Sequence, residues 1–381
     1  MARPSGATGG VTLGNLARIG AGPVSIVNAT PATLMVWRAQ LARLKGGAAD
    51  AARIACVGDS KTAGAGAGTG SQRMDGAFPK AWPTQLAGMF VGDGFVVRDS
   101  WFGTAGMQSM AAIAAYDPRR SGFTGWGGGE VSLGGPTLAT NGTNTGAFQP
   151  SRPVDRASVF VRISSGGGVL RISKGAESFT INTAGTEGFT RSEIVFATKS
   201  ADPIQYGWAS GGYVSVAGTV AWDSALPGIE VANTSIYGTT SVVQSATAKP
   251  ASPLAALGTY QPHLTFVKLG TNDINTGVTL PQWEANLRAI VATARTTGSV
   301  VLVWPSIGGV SPAYGADDVR RRWQATALRI ALTTQSMFLD EEALLGGRSG
   351  AQASGALPDG VHTAAWAQLL EAATQYRVIG W

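Results

Sequence analysis

Four short motifs, far apart along the chain, carry the side chains that acyl-transfer chemistry requires. They are Gly58-Asp59-Ser60 with Gly64, Asn233 to Gly238, Gly270-Thr271-Asn272-Asp273, and Asp359-Gly360-Val361-His362. Ser60 offers a hydroxyl nucleophile and His362 a base. Asp359 offers a carboxylate to orient that base, and Asn272 and Gly238 offer N–H donors for an oxyanion. Together these are the parts of serine-dependent ester hydrolysis. The chain contains only 2 histidines, so the choice of base is narrow.

Each motif also has a plainer reading. Ser60 could be a helix-capping serine, Gly270 to Asp273 an Asx-type turn, and Asp359 a cap beside a surface histidine. The glycines at 64, 66 and 68 suggest a phosphate loop, but the Gly-Lys-Ser/Thr ending of such loops is missing. His263, the rival base, lies between Pro262 and the apolar run Leu264 to Leu269, and reads as a strand-entry residue. Two segments compete for the oxyanion glycine, Trp101 to Gly106 and Asn233 to Gly238.

The elements that must position these motifs alternate in type. A helix is expected from Thr30 as cap and Pro31 as first residue, through Leu34, Trp37, Leu41 and Leu44, to Gly46. Arg53 to Val57 reads as a buried strand running into Ser60. Ala81 to Phe90 reads as a helix and Phe95 to Arg98 as a strand. From about Trp101 to Val220 the chain becomes rich in Gly and Thr, with short alternating runs such as Ser158 to Ile163, Val169 to Ile172, Ser178 to Ile181 and Glu193 to Phe196. That texture indicates a β-sandwich or small jelly roll. Strands then return at Gly228 to Ala232, Leu264 to Leu269, Ser299 to Trp304 and Met337 to Leu339. Helices are expected around Trp283 to Val291, at Asp317 to Thr333 and at Ala364 to Tyr376. Strands alternating with helices imply a parallel sheet covered on both faces.

With 381 residues, 44% of them hydrophobic, the chain can build more than one core. The expected division is an arm at 1–28, an α/β domain at 29–99 and 228–381, and a β-rich insert at 100–227. The net charge of +6 comes from scattered residues apart from Arg320-Arg321-Arg322, which reads as a solvated helix face. No nucleic-acid motif accompanies it. The single cysteine, Cys56, permits no intrachain disulfide and reads as a core residue. Two histidines and one cysteine argue against zinc, and no metal or organic cofactor is expected. Residues 1–28 lack the apolar stretch of a signal peptide, and no segment is long and apolar enough to span a bilayer. Residues 1–28 are therefore expected to be an arm, with an attachment partner on a virion or another non-classically exported particle.

The blocks Gly58-Asp59-Ser60 with Gly64, Gly270-x-Asn272-Asp273 and Asp359-x-x-His362 resemble, in order and strand-end placement, those of the GDSL/SGNH hydrolases. The resemblance covers roughly residues 50–95 and 228–381. It implies a flavodoxin-like three-layer α/β/α fold, with Ser60 as nucleophile, His362 as base and Asp359 as its partner. It also implies an oxyanion hole from the Ser60 and Gly238 N–H groups and the Asn272 side chain. Gly238 is chosen over Gly106 because Asn233 to Gly238 resembles the family pattern better. The insert's placement is similar to that in peptidoglycan and polysaccharide O-acetylesterases carrying a carbohydrate-binding-like β-sandwich. An acetylated glycan is therefore the expected substrate. The alternatives are a lipase, thioesterase or arylesterase on small esters, or a non-catalytic glycan-binding protein. Trp126, Trp208, Tyr213 and Trp222 are the insert's candidate sugar-stacking residues.

Overall fold

The computed structural model describes residues 26–70, 73–305 and 317–380. The expected arm at 1–28 lies outside them except for Ile26, Val27 and Asn28. The chain opens with β1 (Ile26–Val27), β2 (Ala51–Gly58) and β3 (Val96–Phe102). It continues through β4 (Arg120–Ser121), β5 (Gly127–Ser132), β6 (Gly135–Thr140), β7 (Thr145–Phe148) and β8 (Val154–Ile163). Next come β9 (Gly168–Lys174), β10 (Glu177–Asn182), β11 (Gly188–Ser200), β12 (Ile204–Gly211) and β13 (Val214–Trp222). It closes with β14 (Gly228–Asn233), β15 (Leu264–Lys268), β16 (Ser299–Trp304) and β17 (Met337–Asp340).

Strands β3, β14, β2, β15, β16 and β17 lie side by side in that order, every neighbouring pair parallel. Taken from β14, the order is that of flavodoxin-like sheets, with the switch point between β2 and β15. Alternate residues of β2 explain the layering. Ala55 and Val57 pack with Trp283, Leu287, Trp323 and Ala327 from helices Leu280–Arg295 and Asp317–Thr333. Ala52, Ile54 and Cys56 face the other way, onto Trp37, Leu41, Phe90 and Tyr376 from helices Met35–Lys45, Trp82–Gly92 and Ala365–Gly380. The result is a flavodoxin-like three-layer α/β/α fold, a parallel sheet with helices on both faces.

Strand β3 serves two neighbours. Val96 to Arg98 pair in parallel with β14, whereas Asp99 to Phe102 pair antiparallel with β13. The boundary expected between residues 99 and 100 therefore falls inside a continuous strand. Through β13 the large sheet extends into β8 and β6. A second, five-stranded sheet runs β10-β9-β12-β7-β4. Leu170, Ile172, Tyr206 and Phe148 of this sheet share one buried cluster with Val159, Val161, Val214 and Val216 of the first, so two sheets face each other across a common core.

Three expectations shift. The first helix begins at Met35 rather than beside Thr30, because Thr30 and Thr33 exchange bonds: each backbone N–H donates to the other's hydroxyl, at 3.1 and 3.3 Å. That capped turn occupies the positions where helix was expected. Within the triple-arginine run, Arg320 is buried and paired with Asp317, while Arg321 and Arg322 are exposed. Of the candidate stacking residues, Trp126 and Trp222 are core and Trp208 is half-buried, leaving Tyr213 with 60% of its surface exposed.

Candidate active site

Ser60 opens the short helix Ser60–Ala63 directly after β2, at the C-terminal edge of the parallel sheet. Asp59 caps it, its Oδ1 accepting from the Lys61 N–H at 2.9 Å. Gly64 ends it in the left-handed region at φ 91°, where an added Cβ would stand 2.7 Å from the Ala81 Cβ. The turn is thus both tight and closely packed.

The C-terminal motif arrives at the same edge. His362 Nε2 lies 3.0 Å from Ser60 Oγ, and His362 Nδ1 lies 2.8 Å from Asp359 Oδ2. Asp359 Oδ1 accepts from the Val361 and His362 backbone N–H groups at 2.9 and 2.7 Å. The spacing of three residues thus folds into an Asx-type turn that aims the carboxylate at the imidazole. Gly66 permits the close approach of the two loops, since a Cβ there would lie 2.8 Å from both the His362 Cβ and the Thr363 carbonyl.

The electrostatics follow from this packing. Burial pushes the Asp359 carboxyl up, but the bonds from His362 and Val361 outweigh it and leave it below the usual carboxylate range. Burial lowers His362, the Lys61 ammonium lowers it further, and Asp359 opposes both only in part. His362 is therefore neutral at pH 7 and able to accept a proton. His263 stands at the opposite end of the sheet, before β15. Its Nδ1 accepts from the Arg53 N–H at 2.9 Å, and burial followed by the nearby Arg53 charge lowers its pKa to about 4. It is a strand-entry residue, as expected.

Asn272 lies in the short helix Thr271–Asn275 that follows β15, across the switch point from Ser60. One Nδ2 hydrogen goes to the Thr239 carbonyl at 2.8 Å, which leaves its amide a second hydrogen to give. Its neighbour Asp273 has a different task. Its Oδ1 accepts from both the N–H and the hydroxyl of Ser241, at 2.8 and 2.6 Å, and so holds the chain just after Gly238. The rival glycine segments prove to be neighbours. The Tyr237 N–H donates to the Ala105 carbonyl at 2.9 Å, and a Cβ on Gly106 would lie 2.8 Å from the Tyr237 nitrogen. Gly106 is thereby enclosed, whereas Gly238, at φ 73°, has open space beside it.

Two further residues at the site are not among the expected ones. The ring of Tyr237 lies 5.9 Å from that of His362. Lys61 is fully buried, and its ammonium donates to the carbonyl of Val361. A lysine among small residues straight after the serine was the available clue.

The comparisons with known proteins agree with this architecture. The model of the GDSL-like Lipase/Acylhydrolase family matches residues 200–368, a stretch containing Gly238, Asn272, Asp359 and His362. No curated protein matches. Among solved structures, a peptidoglycan O-acetylesterase aligns with a TM-score of 0.67 at 17% identity, covering 93% of this chain and 99% of that one. An acetylxylan esterase from Geobacillus stearothermophilus aligns over 41% of this chain and 74% of its own, with 20% identity and a TM-score of 0.33. The first of these likenesses is one of fold across nearly the whole chain.

Proposed function

We propose that this chain, which carries a GDSL-like lipase/acylhydrolase domain with the SGNH hydrolase fold, is a serine esterase that removes O-acetyl groups from a polysaccharide or peptidoglycan. The observation carrying the reading is the unbroken line from Ser60 Oγ to His362 Nε2 and from His362 Nδ1 to Asp359, at 3.0 and 2.8 Å. His362 accepts the hydroxyl proton as Ser60 Oγ attacks the acetyl carbonyl, and Asp359 stabilises the imidazolium. The Ser60 and Gly238 N–H groups and the second Nδ2 hydrogen of Asn272 receive the oxyanion. The imidazolium returns its proton to the departing sugar oxygen, leaving acetyl-Ser60. A water that gives its proton to His362 then releases acetate. No step calls for a metal or organic cofactor.

Asn272→Ala removes one oxyanion donor and is expected to lower kcat by roughly 10²- to 10³-fold with little change in KM. Steady-state kinetics on 4-nitrophenyl acetate measure this, and a fall in affinity with kcat intact would remove Asn272 from the oxyanion role.

The polymer part of the reading rests on residues 100–227, proposed as a substrate-holding insert. Tyr213 borders a groove of about 500 Å³ that is also lined by Glu130, Arg162, Ser165, Glu187 and Ser215. Arg162 is held between Glu130 at 3.2 Å and Glu187 at 2.7 Å, and Lys249 pairs with Glu130 at 2.6 Å. The charges balance, and hydroxyls and an exposed ring remain to meet a polyhydroxylated ligand. The test is acetate release from acetylated xylan, O-acetylated peptidoglycan and 4-nitrophenyl acetate. Tyr213→Ala is expected to raise KM on the preferred polymer about tenfold, the loss of one stacking contact, and to leave the small ester unchanged. Hydrolysis confined to small esters would replace the polymer reading with a lipase, thioesterase or arylesterase.

A further inference from the structure

Lys61 stands out because no step above uses it. It is one of the largest side chains with essentially no exposed surface, and it sits directly beside the nucleophile. Burying an ammonium costs several kcal/mol unless charge and hydrogen bonds compensate, and an apolar side chain of the same length would fill the space at less cost. Its surroundings are specific. The ammonium donates to the Val361 carbonyl. Asp59, Asp359 and Glu371 attract it, and Lys268 repels it. Lys268 is itself engaged by Glu341 and Glu371 at 2.5 and 2.8 Å. Meanwhile the Lys61 carbonyl accepts from Gln368 Nε2 at 2.9 Å.

We infer that Lys61 is a positioning residue: its ammonium ties the residue after the nucleophile to the residue before the base, and its charge bears directly on His362. The inference rests on the esterase reading above. The bond from Lys61 to Val361 spans the same gap as the bond from Ser60 to His362, one residue along on each side. Two parallel cross-links between the same two loops fix the angle of the imidazole as well as its distance. A neutral amide could supply the link. What a cation adds is repulsion of a second positive charge on His362, which, against the opposing pull of the Asp359 and Asp59 carboxylates, keeps the imidazole unprotonated further into the acid range. Lys61 has this charge at neutral pH, because burial and Lys268, opposed by Asp59 and Glu371, bring its pKa down only to about 8.

The sign of the effect is fixed. In the free enzyme kcat/KM rises with pH as His362 loses its proton. Removing the Lys61 charge makes His362 easier to protonate, so this acid limb moves to higher pH. For a unit charge in a partly buried site the expected shift is roughly one pH unit. The test is kcat/KM against pH on 4-nitrophenyl acetate for wild type, Lys61→Met, Lys61→Gln and Lys61→Arg, with Tm recorded for each.

Lys61→Met is expected to move the limb up and to lower kcat at least tenfold, since both link and charge are lost. Lys61→Gln moves the limb with a smaller loss of kcat, and Lys61→Arg restores the wild-type limb. Should the methionine variant fail to fold, the glutamine and arginine variants read the same limb. A limb that stays in place in the glutamine or methionine variant, whatever happens to Tm, makes Lys61 a packing residue and overturns the inference. Ser60→Ala, run alongside, separates the two levels. If it keeps its activity, the esterase reading falls. If it is inactive while the limb never moves, only the role of Lys61 falls.

Discussion

Ser60→Ala is expected to lower kcat for ester hydrolysis by about 10⁶-fold, to what substrate binding and the oxyanion donors provide alone. The size follows from what the hydroxyl does: without it there is no acyl-enzyme, and His362 has no proton to accept. The variant should fold normally. Among the described residues, the Ser60 hydroxyl bonds to His362. The bonds that shape the turn, from Lys61 N–H to Asp59 and from Ala65 N–H to the Ser60 carbonyl at 2.9 Å, do not involve the hydroxyl. Kinetics on 4-nitrophenyl acetate with circular dichroism as a folding control make the measurement. A folded variant within tenfold of wild type would end the serine mechanism.

Asp359→Asn is expected to cost roughly 10⁴-fold in kcat, far more than the loss of one charge at a partly exposed position would suggest. The reason lies in how the carboxylate is shared. One oxygen accepts from the Val361 and His362 backbone N–H groups and the other from His362 Nδ1. An asparagine must put its single oxygen on the backbone pair and turn its NH₂ towards Nδ1. The imidazole then carries its proton on Nε2, facing Ser60, and cannot accept another. The same measurement checks it, and a loss below tenfold would mean that Asp359 shapes the turn without setting the tautomer.

Much of this site was legible in the sequence. Ser60, Asn272 and His362 each follow or adjoin an element with a clear period, and each stands at the C-terminal edge of the sheet, where such elements must place them. The helix that reaches Thr333 ends where its pattern suggests, and the strand Ser299–Trp304 has the bounds that its pattern suggests. What failed to show was whatever depends on two distant segments meeting. Gly106 and Gly238 looked like rivals because nothing in either segment reveals that they pack together through Tyr237. The role of Lys61 has no local signature, because the carbonyl it binds belongs to a residue 300 positions away. The first helix was placed too early because Thr30 and Pro31 favour a helix start as strongly as they favour the capped turn that forms. In the β-rich stretch the strands were readable, but their sharing of β3 with the parallel sheet was not, since one strand shows the same alternation whichever neighbour it pairs with.

That shared strand bears on how such a chain can change over evolutionary time. Phe102 and Gly218 are register partners in the antiparallel pair of β3 and β13, so their Cα atoms are about 5 Å apart, a gap that a tight turn can close. The whole excursion between them leaves and rejoins at a single doorway. A segment joined in this way can be gained, shortened or exchanged as one piece without shifting any parallel strand. An exchange would also have to replace what ties the excursion to the rest of the molecule: the pairing of β8 with Gly218 to Trp222, the two bonds from Ser151 to Asp99 at 2.7 and 2.8 Å, the bond from the Tyr116 hydroxyl to the Ala63 carbonyl at 2.9 Å, the loop bearing Gly106 that braces Tyr237, and the Lys249–Glu130 pair.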